Sequence, residues 1–321
     1  MRVAVLAGGR SSEHEVSLRS GAAVARGLRE GGHEAVEVTI GRDGGWSAAG
    51  GSVELVPGGG LLGADVAFPA LHGAFGEDGS IQGLLEQLDV PYVGSDVLSS
   101  AICMDKLTLK RLFAAHGVPQ VEFTAVEGND WWGRCEAMGL PLWVKPSRMG
   151  SSVGITRVER LNELDTAVEL ALRYDPRVIV EASAAGREVE CSVLGNEDPQ
   201  VSLPGEIVAN ATWYDFEAKY TEGGMELRVP VPVGDDVVDR VRELAIAIFQ
   251  LAGCSGLARC DFFVEPDGSV LVNEINTMPG FTDTSVYAKL FEASGVAYPE
   301  LCNRLVQLAI ARHQQARSYQ Y

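Results

Sequence analysis

The chain has 321 residues, with 26 Lys and Arg against 44 Asp and Glu, a formal net charge of −18, and 46% hydrophobic residues. That balance fits two or three globular domains with a full core. It argues against nonspecific binding to nucleic acid or an anionic membrane, and leaves a local basic pocket for a nucleotide open.

The N-terminal "RVAVLAGG" reads as a buried strand entering a glycine turn. A helix follows through "SSEHEVSLRSGAAVARGLREGG", with Ser12 and Glu15 at capping-box spacing and Gly31-Gly32 ending it. "EAVEVTI" and "ADVAFPAL" read as further strands, and a helix begins near Ile81. This alternation predicts a parallel sheet with helices on its faces, spanning residues 1–97. The turn Gly8-Gly9-Arg10 lacks the GxGxxG fingerprint, which weighs against a nucleotide-dependent dehydrogenase.

A second unit, 98–183, holds a helix around Lys106–His116, the strand "LWVKPS", a Gly-Ser loop, a helix near Asn162–Arg173 and the strand "RVIVEA". The third, 184–321, holds the strand "REVECSVLG", a long loop region "NATWYDFEAKYTEGG", the amphipathic helix "DDVVDRVRELAIAIFQLAG", a β-hairpin and a C-terminal helix. The six cysteines show no CxxC pattern and read as reduced core thiols. No apolar run has the length of a signal peptide or membrane span, so a cytoplasmic enzyme is expected.

The hairpin "DFFVEPDGSVLVNEINTMPG" raises the first chemical question. Asp261 opens one strand; Glu274 and Asn276 end the other. A two-residue Asp267-Gly268 turn sets Val264 opposite Leu271, Asp261 opposite Glu274 and Arg259 opposite Asn276, with the acids roughly 5 Å apart at Cβ. A three-residue Pro-Asp-Gly loop shifts the register by one and sends the acids to opposite faces. Opposed carboxylates repel unless a cation lies between them, and two carboxylates with an amide oxygen suit Mg²⁺. Alone, the segment is equally a surface hairpin with solvated acids. The loop Pro146–Gly154 exposes backbone N–H groups and hydroxyls that can wrap phosphate, and Lys145 precedes it, but it is no Walker sequence.

The motifs "GGRSSEHEVSLRSG", "LHGAFGEDGSIQGLLE", "MDKLTLK", "VKPSRMGSSVG", "YDFEAKY" and "RCDFFVE…VNEINTMPGFTDTS" occur in this order along nearly the whole chain. In them the sequence resembles the ATP-grasp superfamily, and within it the D-alanine–D-alanine ligases. The resemblance implies a three-domain α/β fold: an N-terminal parallel-sheet domain, then nucleotide held between two antiparallel sheets. It implies ATP-dependent joining of two D-alanines through a D-alanyl phosphate, for peptidoglycan, by a homodimer with two Mg²⁺ ions that Mn²⁺ can replace.

By motif, it implies Asp261, Glu274 and Asn276 as magnesium ligands, which favours the two-residue turn. Lys106, Lys145 and Lys219 resemble the phosphate-binding cations. Glu181 and Glu188 resemble the acids that hold adenine and ribose; Ala184 lends backbone and Trp213 lies near the base. Glu13 resembles the partner of the first substrate's ammonium, with Ser151 and Tyr220 bonded to it. His72 lies near the second substrate, Arg259 and the Gly280 N–H face the oxyanion, and Ser285 holds the second carboxylate. Without the resemblance, each is an ordinary surface or core residue. Two departures stand out: Ala182 where many relatives have lysine, and the variable segment "TEGGMELRVPVPV". Relatives that join D-lactate usually lack tyrosine at the Tyr220 position, so the resemblance implies an amine rather than a hydroxyl nucleophile. Another ATP-grasp ligase and a non-catalytic ATP-binding module are the remaining rivals.

Overall fold

The computed structural model describes residues 1–209 and 225–320. β1 (Arg2–Gly8) is buried along nearly its whole length, as a strand covered on both faces must be. β2 (Glu34–Ile40) and β5 (Val66–Pro69) flank it in parallel, with Val5 opposite Glu37 on one side and Phe68 on the other. The sheet is mixed rather than wholly parallel. A tight turn, with the Gly41 N–H donating to the Gly45 carbonyl at 2.8 Å, reverses the chain into β3 (Trp46–Ala48) and β4 (Gly51–Ser52), which add an antiparallel edge. α1 (His14–Glu30) starts later than the capping-box spacing predicts, and its cap residue Glu13 makes no side-chain cap bond. The Ser11 hydroxyl instead accepts from the Glu13 N–H at 3.1 Å.

After α2 (Ser80–Leu88) come two successive helices, α3 (Val97–Met104) and α4 (Lys106–Ala115), each capped by the aspartate before it. A four-stranded antiparallel sheet follows, in the order β6 (Phe123–Ala125), β9 (Val178–Ala182), β7 (Leu142–Pro146), β8 (Thr156–Val158). α5 (Trp131–Met138) and α6 (Leu164–Leu172) accompany it. Leu142, Val144, Val178 and Val180 pack with Leu164, Ala167, Val168 and Ala171 of α6. Strand alternation then sends Trp143, Lys145, Ile179 and Glu181 to the other face.

The third sheet comprises β10 (Arg187–Gly195), β11 (Gln200–Val201), β12 (Gly205–Ala209), β13 (Met225–Arg228), β14 (Gly256–Val264) and β15 (Val270–Asn276). Its main order is β13-β12-β10-β14-β15, with β11 on β10. α7 (Asp235–Leu251) covers one face through Val241, Leu244, Ala245, Ile248 and Phe249, packed with Val189, Cys191, Cys260 and Phe262. The C-terminal region forms two helices, α8 (Val286–Ala293) and α9 (Tyr298–Arg317). They bind the first sheet to the third: Val3, Val5 and Phe68 share one apolar cluster with Leu257, Tyr287 and Leu301. All six cysteines are buried and free. No helix among the described residues is long and apolar enough to cross a membrane.

Candidate active site

The hairpin settles its own register in an unexpected way. The Glu265 N–H donates to the Ser269 carbonyl at 2.9 Å, so the turn is the three-residue Pro-Asp-Gly loop, and Val264 faces Val270 rather than Leu271. Carried down the ladder, that register would turn Glu274 into the core. A β-bulge prevents it: pairing shifts between Asp261 and Phe262, leaving Asn273 without an opposite residue. Asp261 then faces Glu274, and Arg259 faces Asn276. Burial along β15 records the slip, since Asn273 and Glu274 are successive half-buried residues between buried Val272 and Ile275. The two-residue turn is therefore incorrect, while the opposed acids are present.

The same ladder aligns a stripe of polar groups on the face away from α7. Glu190 lies opposite Asp261, and Ser192 opposite Arg259. Glu188 is two residues before Glu190 on that face and exposed. Arg259 grips Asp261 with two bonds of 2.8 and 2.7 Å, and its Nε lies 2.9 Å from Glu190 Oε2. The Asn276 amide donates to Asp261 at 3.0 Å. Burial would weaken the Arg259 guanidinium, but Asp261, Glu190 and Glu274 outweigh it and hold its charge well above the ordinary range.

A second set of cations approaches from α4 and β7. Lys106, at the start of α4, reaches Glu274 at 3.3 Å and donates to the Met149 carbonyl at 2.9 Å. Lys145 bonds Glu181 at 2.6 Å; Trp143 is the Cα partner of Glu181, so the two charges sit diagonally on one face. Lys110 lies 3.4 Å from the other oxygen of Glu181, and both side chains are 2% exposed. Burial raises the Glu181 carboxyl, but Lys110, Lys145 and Lys106 together bring it below its ordinary value. Burial draws the Lys110 ammonium down, against the opposing pull of Glu181. The Gly-Ser loop is pinned where it begins: Ser147 accepts from the Leu107 N–H at 2.9 Å and donates to Asp105 at 2.7 Å.

The N-terminal region contributes Glu13. A methyl group placed on Gly150 would lie 3.7 Å from Glu13 Oε1, and one on Gly73 would lie 2.9 Å from its Oε2. Glu13 thus sits between the Gly-Ser loop and the turn after β5. Ser151, next to Gly150 in the chain, holds a left-handed φ of 50°. His72 bonds the Met278 carbonyl through Nδ1 at 2.9 Å and Ser20 through Nε2 at 2.8 Å. Burial lowers its pKa to about 4, although the Met278 bond raises it, so the ring is neutral at neutral pH. Both ring nitrogens are engaged in anchoring the segment that carries Gly280. A methyl on Gly280 would lie 3.4 Å from the Ser285 hydroxyl, which accepts from the Thr282 N–H at 3.0 Å. Ala184 lies in the short link from β9 to β10. Trp213, Lys219 and Tyr220 lie outside the described residues.

The donor set fits magnesium. Among the described residues no group of three or more Asp, Glu, His or Cys side chains makes a metal cage. Magnesium that shares phosphate ligands needs only one or two carboxylates, here Asp261 and Glu274 with the Asn276 amide.

The residues match the family described as D-ala D-ala ligase C-terminus over 112–307, and D-ala D-ala ligase N-terminus over 2–60 and 57–95. A D-alanine–D-alanine ligase of Deinococcus radiodurans is 44% identical over 333 residues, covering 96% of this chain and 98% of that protein. One from Geobacillus kaustophilus is 41% identical, covering 100% of this chain and 97% of that protein. The chain belongs to the D-alanine–D-alanine ligase family. The solved D-alanine–D-alanine ligase of Coxiella burnetii superposes with a TM-score of 0.89 at 36% identity, over 99% of this chain and 96% of that one. The VanG D-Ala:D-Ser ligase of Enterococcus faecalis superposes at 0.87 with 34% identity, over 96% and 99%.

Sequence reading missed three charged groups of this ligase-family site: Lys110, Glu190 and Glu77. Lys110 is one helical turn beyond Lys106 and Glu190 two residues beyond Glu188, so spacing offered a signal for both. Glu77 offered only its place in the motif "LHGAFGEDGSIQGLLE", as one of two adjacent acids in a glycine-rich turn. Its carboxylate accepts from the Gly73 N–H at 2.8 Å. Burial, then Glu13 and Glu274, push its pKa up to about 8 against the Gly73 bond and Lys106. Between its ordinary pKa and about 8 the unfolded chain is ionised while the folded one holds a proton, so stability falls as pH rises through that window. Glu77→Gln removes this loss. Urea unfolding at pH 7 is expected to find the variant more stable by about 2 to 3 kcal/mol, shrinking to about 1 kcal/mol at pH 5. A gain that does not depend on pH would contradict the assignment.

Proposed function

We propose that this chain joins two D-alanine molecules at the expense of ATP, giving D-alanyl-D-alanine, ADP and phosphate for peptidoglycan. The observation that most supports this reading is the Arg259–Asp261–Glu274–Asn276 stripe, met by Lys106 from the start of α4, with Glu13 of the N-terminal region set against the Gly-Ser loop.

Lys106 and Lys145, with Lys219, bind phosphate oxygens, while Glu181, Glu188, Ala184 and Trp213 hold the nucleoside. Asp261, Glu274 and Asn276 would hold two magnesium ions, for which manganese can substitute; when bound, they screen charge on the phosphates. Glu13 takes the ammonium of the first D-alanine, with Ser151 and Tyr220 beside it. The substrate carboxylate forms a bond to the γ-phosphorus as the bond to ADP breaks. The amine of the second D-alanine, its carboxylate on Ser285, then attacks the acyl carbon. Arg259 and the Gly280 N–H stabilise the oxyanion. The C–O bond to phosphate breaks, the surplus proton on nitrogen passes to the departing phosphate, and dipeptide forms. His72 holds the Gly280 segment in place. The enzyme works as a homodimer.

ADP release with D-alanine, D-serine, L-alanine or D-lactate, with product identification, tests the substrate assignment. D-alanine alone should sustain turnover and yield the dipeptide; turnover that needs a different acceptor overturns it. Tyr220→Phe should raise the depsipeptide-to-dipeptide ratio from D-lactate and D-alanine about fivefold, the worth of one neutral hydrogen bond. An unchanged ratio removes Tyr220 from acceptor choice.

A further inference from the structure

One buried cation is in excess at Glu181. Lys145 already meets this carboxylate at 2.6 Å, yet Lys110 brings a second ammonium to 3.4 Å from the other oxygen. Burying an ammonium costs several kcal/mol, repaid only by a well-placed counter-charge and hydrogen bonds. Among the described residues, neither Lys110 Nζ nor Glu181 Oε1 has a hydrogen-bond partner. Lys110 is closed off from solvent, with the Phe123 ring centroid 6.0 Å from its Nζ. Lys145, by contrast, lies near the end of β7 at the start of the Gly-Ser loop and is 13% exposed. It can turn to a phosphate; Lys110 cannot.

We propose that Lys110 is a positioning residue that holds Glu181 as a hydrogen-bond acceptor for the 6-amino group of the purine once Lys145 engages phosphate, and so sets the preference for 6-amino over 6-oxo purine nucleotides. The proposal rests on the reading of Glu181 as an adenine-holding residue. A carboxylate only accepts, so it receives an exocyclic amine and repels a 6-oxo oxygen. With Lys145 drawn away and Lys110 absent, Glu181 is a buried charge without compensation, and its acceptor geometry is lost. Oε1, which faces Lys110, is the oxygen with no hydrogen bond in the described residues.

The test is kcat/KM for ATP and for ITP, with saturating D-alanine, in wild type, Lys110→Met, Glu181→Gln and the double variant. Lys110→Met should lower the ATP-over-ITP preference about tenfold, the effect of roughly 1.4 kcal/mol. The change should lie in nucleotide KM, with kcat and the KM for D-alanine little altered. In the Glu181→Gln background, adding Lys110→Met should change the preference no further, because the residue acts through Glu181. Equal losses for ATP and ITP, or additive losses in the double variant, overturn the proposal. Should Lys110→Met fail to fold, Lys110→Gln takes its place, with a smaller loss of preference because its amide can still donate to Glu181. If Glu181→Gln itself leaves the preference unchanged, the adenine reading of Glu181 falls, and this inference with it, whatever Lys110→Met does.

Discussion

Arg259→Met is expected to cost about 3–5 kcal/mol of stability, because it strips the counter-charge from a buried acid cluster. In the native protein the guanidinium bonds Asp261 twice and lies 2.9 Å from Glu190, while Glu274 stands opposite Asp261 in the ladder. Methionine fills much of the same volume but leaves these carboxylates facing one another. Replacing the whole cluster by apolar groups would be far milder than removing one member, since the cost comes from the charge left behind. Two signatures separate this cause from a packing defect. Lower pH should narrow the gap to wild type, because carboxylates without a cation take up protons more readily in the folded state. Magnesium should narrow it too, by placing charge between Asp261 and Glu274. Activity should fall by about 10²–10³-fold even where the variant is folded, as for removal of one preorganised oxyanion donor. Urea unfolding at two pH values, with and without magnesium, checks this; a deficit below about 1 kcal/mol that ignores both would sink it.

Much of this site was legible in the sequence because its motifs name residue types that few other chemistries require together. The strand–helix order of the first domain could be read from β1, α1 and β2, since apolar periodicity is local. The partnership of Asp261 with Glu274 could also be read, but for a reason that proved wrong. The turn takes three residues, and the bulge at Asn273 returns Glu274 to the site face. A bulge has no obligatory residue signature; it is fixed by the need to keep Val272 and Ile275 on the α7 side. The capping box at Ser12 failed because the loop's hydrogen bonds go elsewhere, with the Ser11 hydroxyl donating to the His72 carbonyl at 2.7 Å. Lys110 and Glu77 escaped for another reason. Whether a lysine on a helix or an acid in a loop is buried depends on which other elements close over it, and single-sequence spacing does not carry that.

Asp261→Asn and Glu274→Gln are each expected to reduce ADP release with D-alanine by about 10³-fold, while costing little stability. The two effects part because these acids repel each other and Glu190 in the free protein. Removing one charge relieves that repulsion, which offsets the loss of an ion pair. The amide that replaces the Asp261 carboxylate would retain an acceptor for Arg259. Lys106 would keep the Met149 carbonyl, 2.9 Å from its ammonium, after Glu274 becomes neutral. Activity has no such compensation. An amide in either position lowers the negative charge facing the metal, and hard divalent cations depend on it. The magnesium concentration for half-maximal rate should therefore rise in both variants, and ATP should protect them less against thermal unfolding. Asn276→Ala makes the useful contrast: it removes a proposed neutral ligand and a bond to Asp261 but no charge, so its magnesium requirement should shift less. Should Asp261→Asn lose activity with an unchanged magnesium requirement, the carboxylate would be acting through Arg259 rather than as a ligand.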